Sequence, residues 1–288
     1  MIRRLAAARP ESRRRLAALV EHPRYEVFPT PAVAETVIRH VPKEVTVTVT
    51  ASPKRGLEAT LLTAEQLSKE GYAVVPHLSA RLVRDAVHLR EIAGRLQASG
   101  IEDVFVPAGD AATPSGVYDA ALPVLLELAA LEHRFARVGI TGYPESHPQI
   151  SDDVTIQSMW DKRTYADYIV SNLCLDPATL RDWIRRVRAR GVDLPLFVGV
   201  AGPADPAKLL DMARRIGISE SARFAGRHLR WLARMSTRPG GYQPDRFVER
   251  LASAVTDPSL RVAGLHVFTF NQVSETEAWR RSVIDAAD

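Results

Sequence analysis

Two carboxylates sit where apolar segments end, a placement that suits acid chemistry. Glu26 lies in "RYEVFPTP", a run stopped by Pro29 and Pro31, and Asp110 closes "DVFVPAGD". A carboxyl walled from water by apolar side chains has its pKa raised and can deliver a proton at neutral pH. A partner that stays ionised can stabilise a cation developing nearby. Taken singly, each acid reads equally well as a solvated or structural group. Other chemistries have weaker support. His77, His147, Glu145 and Asp110 could be metal ligands, but no HExxH or regular His spacing joins them. No GxSxG elbow exists for a Ser hydrolase. Cys174 is the only cysteine, which excludes an intramolecular disulfide.

The elements that must carry these residues are short and regular. "RYEVF", "VTVTVT", "YAVVPHL", "DVFVPAG", "RVGITGY", "YIVSNLCL", "LPLFVGVA" and "GLHVFTFN" are bounded by turn residues and rich in Val, Ile, Phe or Thr. They read as eight buried strands. Helical stretches fall between them: Leu57–Glu70, Ser79–Ser99, Tyr118–His133 and Pro177–Arg190, the last capped by Asp176. Gly71, Gly100 and Gly191 stand where helices should end. Parallel strands need such crossovers, so the pattern predicts a (β/α)8 TIM barrel, one domain over 1–288. No GxGxxG follows the first strand, which disfavours an open dinucleotide-binding sheet. The long interval Ala204–Ala263 predicts a helical insertion between the seventh and eighth strands. A helix over about residues 1–22 packs outside the barrel.

In such a barrel the site lies at the C-terminal strand ends. Polar residues there include Glu26, Thr48, Thr50, His77, Ser79, Asp110, Tyr143, Glu145, His147, Ser171, Asn172, Asp176, His266, Thr269, Asn271 and Gln272. The composition excludes several classes of function. The net charge of the 288 residues is only +4, too small for a basic nucleic-acid face, and no aromatic stacking platform accompanies the N-terminal arginines. No apolar run approaches the roughly 20 residues that span a bilayer. Glu11 and Glu21 argue against a transit peptide, so the chain reads as cytoplasmic. A homo-oligomer is left open.

Five motifs, "YEVFPTP", "PHLSA", "AGD", "GYPESHP" and "FTFN", occur in order from about Arg24 to Trp279. In that order and spacing the chain resembles the methylenetetrahydrofolate reductase family. The resemblance implies a (β/α)8 barrel that reduces 5,10-methylenetetrahydrofolate to 5-methyltetrahydrofolate. It gives Glu26 the role of the acid that opens the folate's five-membered ring, and Asp110 that of a pterin contact favouring the iminium cation. Asn172, Thr48 and Phe270 fall on the substrate side, while His77, Tyr143 and His147 match positions near the family's flavin.

Departures from the family pattern concern that flavin. Ala108 replaces the Arg before Gly-Asp. "VTIQSMWDKRTYADY" carries bulky Trp160 and Tyr165 where the family has small residues, and "GPADP" lacks the aromatic that helps hold nicotinamide. Each lost charge-assisted phosphate contact costs about 1.5–3 kcal/mol. These changes make bound FAD doubtful and favour direct hydride transfer from NADH or NADPH, with a deazaflavin donor as a third possibility. A folate-binding barrel without catalysis is the competing class, and it would need no proton donor.

Overall fold

The structure, a computed structural model, describes residues 10–131, 135–145, 150–174, 176–205, 244, 247–251 and 257–286. Eight strands form one parallel sheet: β1 (Arg24–Val27), β2 (Thr46–Val49), β3 (Val74–Pro76), β4 (Asp103–Phe105), β5 (Arg137–Gly142), β6 (Tyr168–Ser171), β7 (Leu196–Ala201) and β8 (Val262–Phe268). Their order is β3-β2-β1-β8-β7-β6-β5-β4. The two ends meet at a parallel bridge between His77 and Phe105, where Leu78 N donates to Phe105 O at 2.8 Å. This is the (β/α)8 barrel that the strand count predicts.

Helices return the chain between the strands: α1 (Pro10–Glu21), α2 (Val33–His40), α3 (Gly56–Lys69), α4 (Ala86–Ala98), α5 (Ala121–Ala129), α6 (Asp152–Lys162), α7 (Pro177–Ala189) and α8 (Val273–Asp285). Gly71, Gly100 and Gly191 follow helix ends with φ of 84°, 73° and 85°, a region that glycine enters without steric cost. Asp176 caps α7 by accepting from Ala178 N and Thr179 N. The single helix expected over Ser79–Ser99 is split. A 3-10 turn at Ala80–Leu82 is held by the Arg81 guanidinium on the carbonyls of Ala111, Ala112 and Asp119, and α4 starts only after its cap, Asp85. The helix expected over Tyr118–His133 is described only as Ala121–Ala129, because Ala120 is extended.

At the N-terminus α1 packs on α8, and residues 1–9 lie outside the described residues. Most of the insertion expected between β7 and β8 also lies outside them, at 206–243, 245–246 and 252–256. Among the described residues no helix is long and apolar enough to cross a membrane.

Alternation along each strand divides its side chains between two environments. On β1, Val27 joins the main apolar core, while Tyr25 donates to Glu277 of α8 at 3.1 Å. The alternate residues, Arg24 and Glu26, enter the barrel. There Val75, Phe105, Tyr168 and Val170 pack with Phe197 as a separate apolar cluster. Arg24 lies beneath it at the N-terminal end, 3% exposed, with its guanidinium 4.2 Å from the Tyr168 ring and 4.0 Å from the Phe197 ring. Its Nη2 donates to Asp103 at 3.0 Å. Because β1 and β4 are not neighbours in the sheet, this ion pair spans the barrel and forms its floor.

Candidate active site

One strand layer above Arg24 stands Glu26, 8% exposed. Its Oε2 is 3.0 Å from Nε2 of His266 on β8 and 3.9 Å from Nε2 of His77, just past β3. The first is a hydrogen bond; the second is an electrostatic contact. His77 packs on Phe105 with ring centroids 4.7 Å apart, and His266 meets Phe268 edge-on at 5.0 Å. Burial in this aromatic wall pushes the His77 imidazole down to about 4, against the opposing pull of Glu26, so it is neutral at physiological pH. Oε2 of Glu26 therefore faces two imidazoles, while Oε1 makes no hydrogen bond among the described residues and keeps open surface.

The second acid occupies a different environment. Asp110 is exposed, on the loop after β4. Gly109 before it has a φ of 92°, and a Cβ there would lie 1.7 Å from Ser79 Oγ, so this turn demands glycine. Tyr143, half-buried after β5, has its phenol pushed up to about 12 by burial, with the Asp110 charge adding to the effect. Asp110 and Tyr143 thus share one electrostatic field at the rim.

Thr48 is buried beside Glu26 in register, and its hydroxyl donates to the Tyr25 carbonyl at 3.4 Å. Asn172 is exposed after β6, its Oδ1 accepting from Leu173 N at 2.8 Å. Phe270 is half-buried with a φ of 51°. His147 lies outside the described residues. His77, expected near a cofactor, has its ring against the Glu26 carboxylate.

Two contributors carry no local sequence signal strong enough to single them out. His266 appears there only as one polar strand residue among many; its pairing with Glu26 depends on how β1 and β8 come together. Asn271 also has φ above zero, at 58°, and its amide bridges to the loop after β1. An Asn directly after a strand end is a signal for that conformation, since its short polar side chain tolerates it. Among the described residues no three His, Cys, Asp or Glu side chains are grouped to hold a metal ion.

Comparison with known proteins adds a second line of information. The family model described as Methylenetetrahydrofolate reductase matches residues 31–278. Methylenetetrahydrofolate reductase 2 of Saccharomyces cerevisiae is 30% identical over 94 residues, covering 31% of this chain and only 16% of the yeast protein. Among solved structures, oxaloacetate acetylhydrolase in complex with 3,3-difluorooxalacetate aligns at 11% identity and a TM-score of 0.50, over 93% of this chain and 83% of that one. A phosphoenolpyruvate phosphomutase from Streptomyces platensis subsp. rosaceus aligns at 16% identity and a TM-score of 0.42, over 66% and 72%. The first of these two likenesses concerns the fold alone. The family match covers most of the chain and includes the strand ends that carry Asp110 and His266: this protein belongs to the methylenetetrahydrofolate reductase family.

Proposed function

We propose that the protein reduces 5,10-methylenetetrahydrofolate to 5-methyltetrahydrofolate, with NADH or NADPH as the direct hydride donor. The observation that carries this reading is Glu26: a buried carboxyl on a barrel-facing strand position, with one oxygen held by His266 and the other open. Its proton goes to the ring nitrogen that leaves the bridging methylene carbon. That C–N bond breaks and leaves an N5 iminium cation. Asp110, an anion at the rim, lowers the energy of this cation. Hydride from the reduced nicotinamide then adds to the methylene carbon and completes the methyl group. The overall step consumes one proton and one hydride and yields the oxidised nicotinamide.

By the family resemblance, the flavin's ribose and phosphates would lie along α6. The residues present there fit a diphosphate poorly. Gln157 is bonded to Asp161 at 2.8 Å and to Arg190, and Asp152 takes Arg186 at 3.0 Å. Arg163 places its guanidinium carbon 3.8 Å from the Trp160 ring centroid and donates to the Trp160 carbonyl. Position 108 offers a methyl group in place of a guanidinium. The proposed hydride therefore does not pass through FAD.

The test is an absorption spectrum and an assay on the same preparation. We expect no oxidised-flavin band, and NADH oxidation that depends on methylenetetrahydrofolate. Stoichiometric FAD that survives gel filtration and supports turnover would overturn the donor assignment. Absence of folate turnover with any donor would overturn the reaction.

A further inference from the structure

The acid's second oxygen raises a question of proton placement. His266 is 1% exposed and its Nε2 lies 3.0 Å from Glu26 Oε2, while its Nδ1 is buried without a hydrogen-bond partner among the described residues. A neutral imidazole has one N–H and one lone pair, so two tautomers are available. With the proton on Nδ1, a buried N–H would be left unmade; with the proton on Nε2, only a lone pair goes unused. Orphaned buried donors are the rarer and costlier case. The Nε2–H tautomer is therefore favoured, and it donates to Oε2.

That choice fixes the other end of the contact. An oxygen that accepts from His266 cannot also carry the acid's hydrogen toward it. His77 Nε2, 3.9 Å from the same oxygen and itself without a hydrogen-bond partner, adds a second imidazole on that side. The remaining charged group on β1's inner face, Arg24, is engaged by Asp103 below. Oε1 is the oxygen of Glu26 that keeps open surface.

We infer that His266 is a positioning residue for the acid: by donating Nε2–H to Oε2 it holds the transferable proton of Glu26 on Oε1, facing the ligand. The inference rests on the proposed role of Glu26 as the acid. Its mechanism is local. Without His266, the carboxyl could turn and present its hydrogen to the wall, so only a fraction of bound complexes would have the proton correctly aimed. The loss would fall on kcat and leave substrate affinity nearly untouched.

The test has two arms. Histidine-labelled protein is studied by 15N NMR from pH 5 to 8, with His266→Gln identifying the His266 signals among the eight histidines. We expect a protonated Nε2 and an unprotonated Nδ1; the opposite tautomer would overturn the inference, whatever the mutants do. In the second arm, His266→Leu should lower kcat about ten- to a hundred-fold with KM within threefold. His266→Gln, whose amide can donate from nearly the same place, should recover most of the loss. In a Glu26→Gln background, His266→Leu should have little further effect. Equal loss in both His266 variants, or additive loss in the double variant, would mean a role that does not act through Glu26. If Glu26→Gln alone keeps full turnover, the proposed acid is wrong. If that variant is inactive while His266→Leu stays active, only the positioning role fails.

Discussion

Asn271 pairs with Phe28 as a neighbouring strand would. Its Oδ1 accepts from Phe28 N at 2.8 Å and its Nδ2 donates to Phe28 O at 3.0 Å. The same Nδ2 reaches Thr30 Oγ1 at 3.1 Å. One step back, the Thr269 hydroxyl donates to the Glu26 carbonyl at 2.6 Å. The loop after β8 is thereby stapled to the loop after β1, and the backbone of Glu26 is fixed from the side that also supplies His266.

Asn271→Ala removes the staple and places alanine at a φ of 58°. Net hydrogen bonds contribute about 0.5–1.5 kcal/mol each, and left-handed backbone adds roughly 1 kcal/mol for alanine. A loss of about 2.5–5.5 kcal/mol is expected in urea unfolding. Asn271→Asp keeps the acceptor for Phe28 N and should lose less. Equal stability of wild type and Asn271→Ala would show that the staple contributes nothing.

Glu26→Gln keeps the volume and a hydrogen-bonding end but has no proton to transfer. Turnover should fall by about 10²–10⁴-fold, while the folate dissociation constant moves by less than about tenfold. Paired melting curves and steady-state assays check this. A structural carboxylate would give the reverse, a lower melting temperature with most activity kept.

Asp110→Asn replaces an anion at the rim by a neutral amide. The expected loss in kcat/KM is roughly ten- to a thousand-fold, about 1.4–4 kcal/mol in the barrier. The side chain is exposed, so the fold should be kept, and circular dichroism verifies that. Kinetics unchanged from wild type would remove Asp110 from the site.

His77 makes stability depend on pH. Its folded value is lowered from 6.5 to about 4, so between those limits the unfolded chain binds more protons and stability rises with pH. The contribution is fully present above about pH 6.5 and is lost as pH falls toward 4, by roughly 3 kcal/mol in total. His77→Phe keeps the bulk and should flatten the curve by that amount. Urea unfolding at pH 7 and pH 4.5 measures the difference; parallel curves for the two proteins would refute it.

Much of the barrel is legible in the sequence because its signals are local. Runs of Val, Ile, Thr and Phe mark all eight strands, and Asp176 with Pro177 marks the start of α7. What escapes is tertiary. The break before α4 depends on Arg81 reaching carbonyls some 30 residues away, and no local pattern encodes it. With only eight residues, α2 is too short to give a clear helical period. Glu26 is legible as a candidate because an acid in an apolar strand is conspicuous. Its imidazole neighbours are not, since they are set by the β1–β8 register and by the seam between β3 and β4. Thr48 shows the same limit: its polarity at a strand end is legible, while the reach of its hydroxyl to the Tyr25 carbonyl is not.

The ion pair between Arg24 and Asp103 closes one end of the barrel. A chamber with a sealed base has a single doorway. If hydride passes directly between two small molecules, folate and nicotinamide must share that doorway and reside together. Neither product can leave by a back exit while the other reactant waits. The kinetic signature is a ternary complex, with double-reciprocal lines that intersect, and not the parallel lines of a carrier reduced and reoxidised in turn.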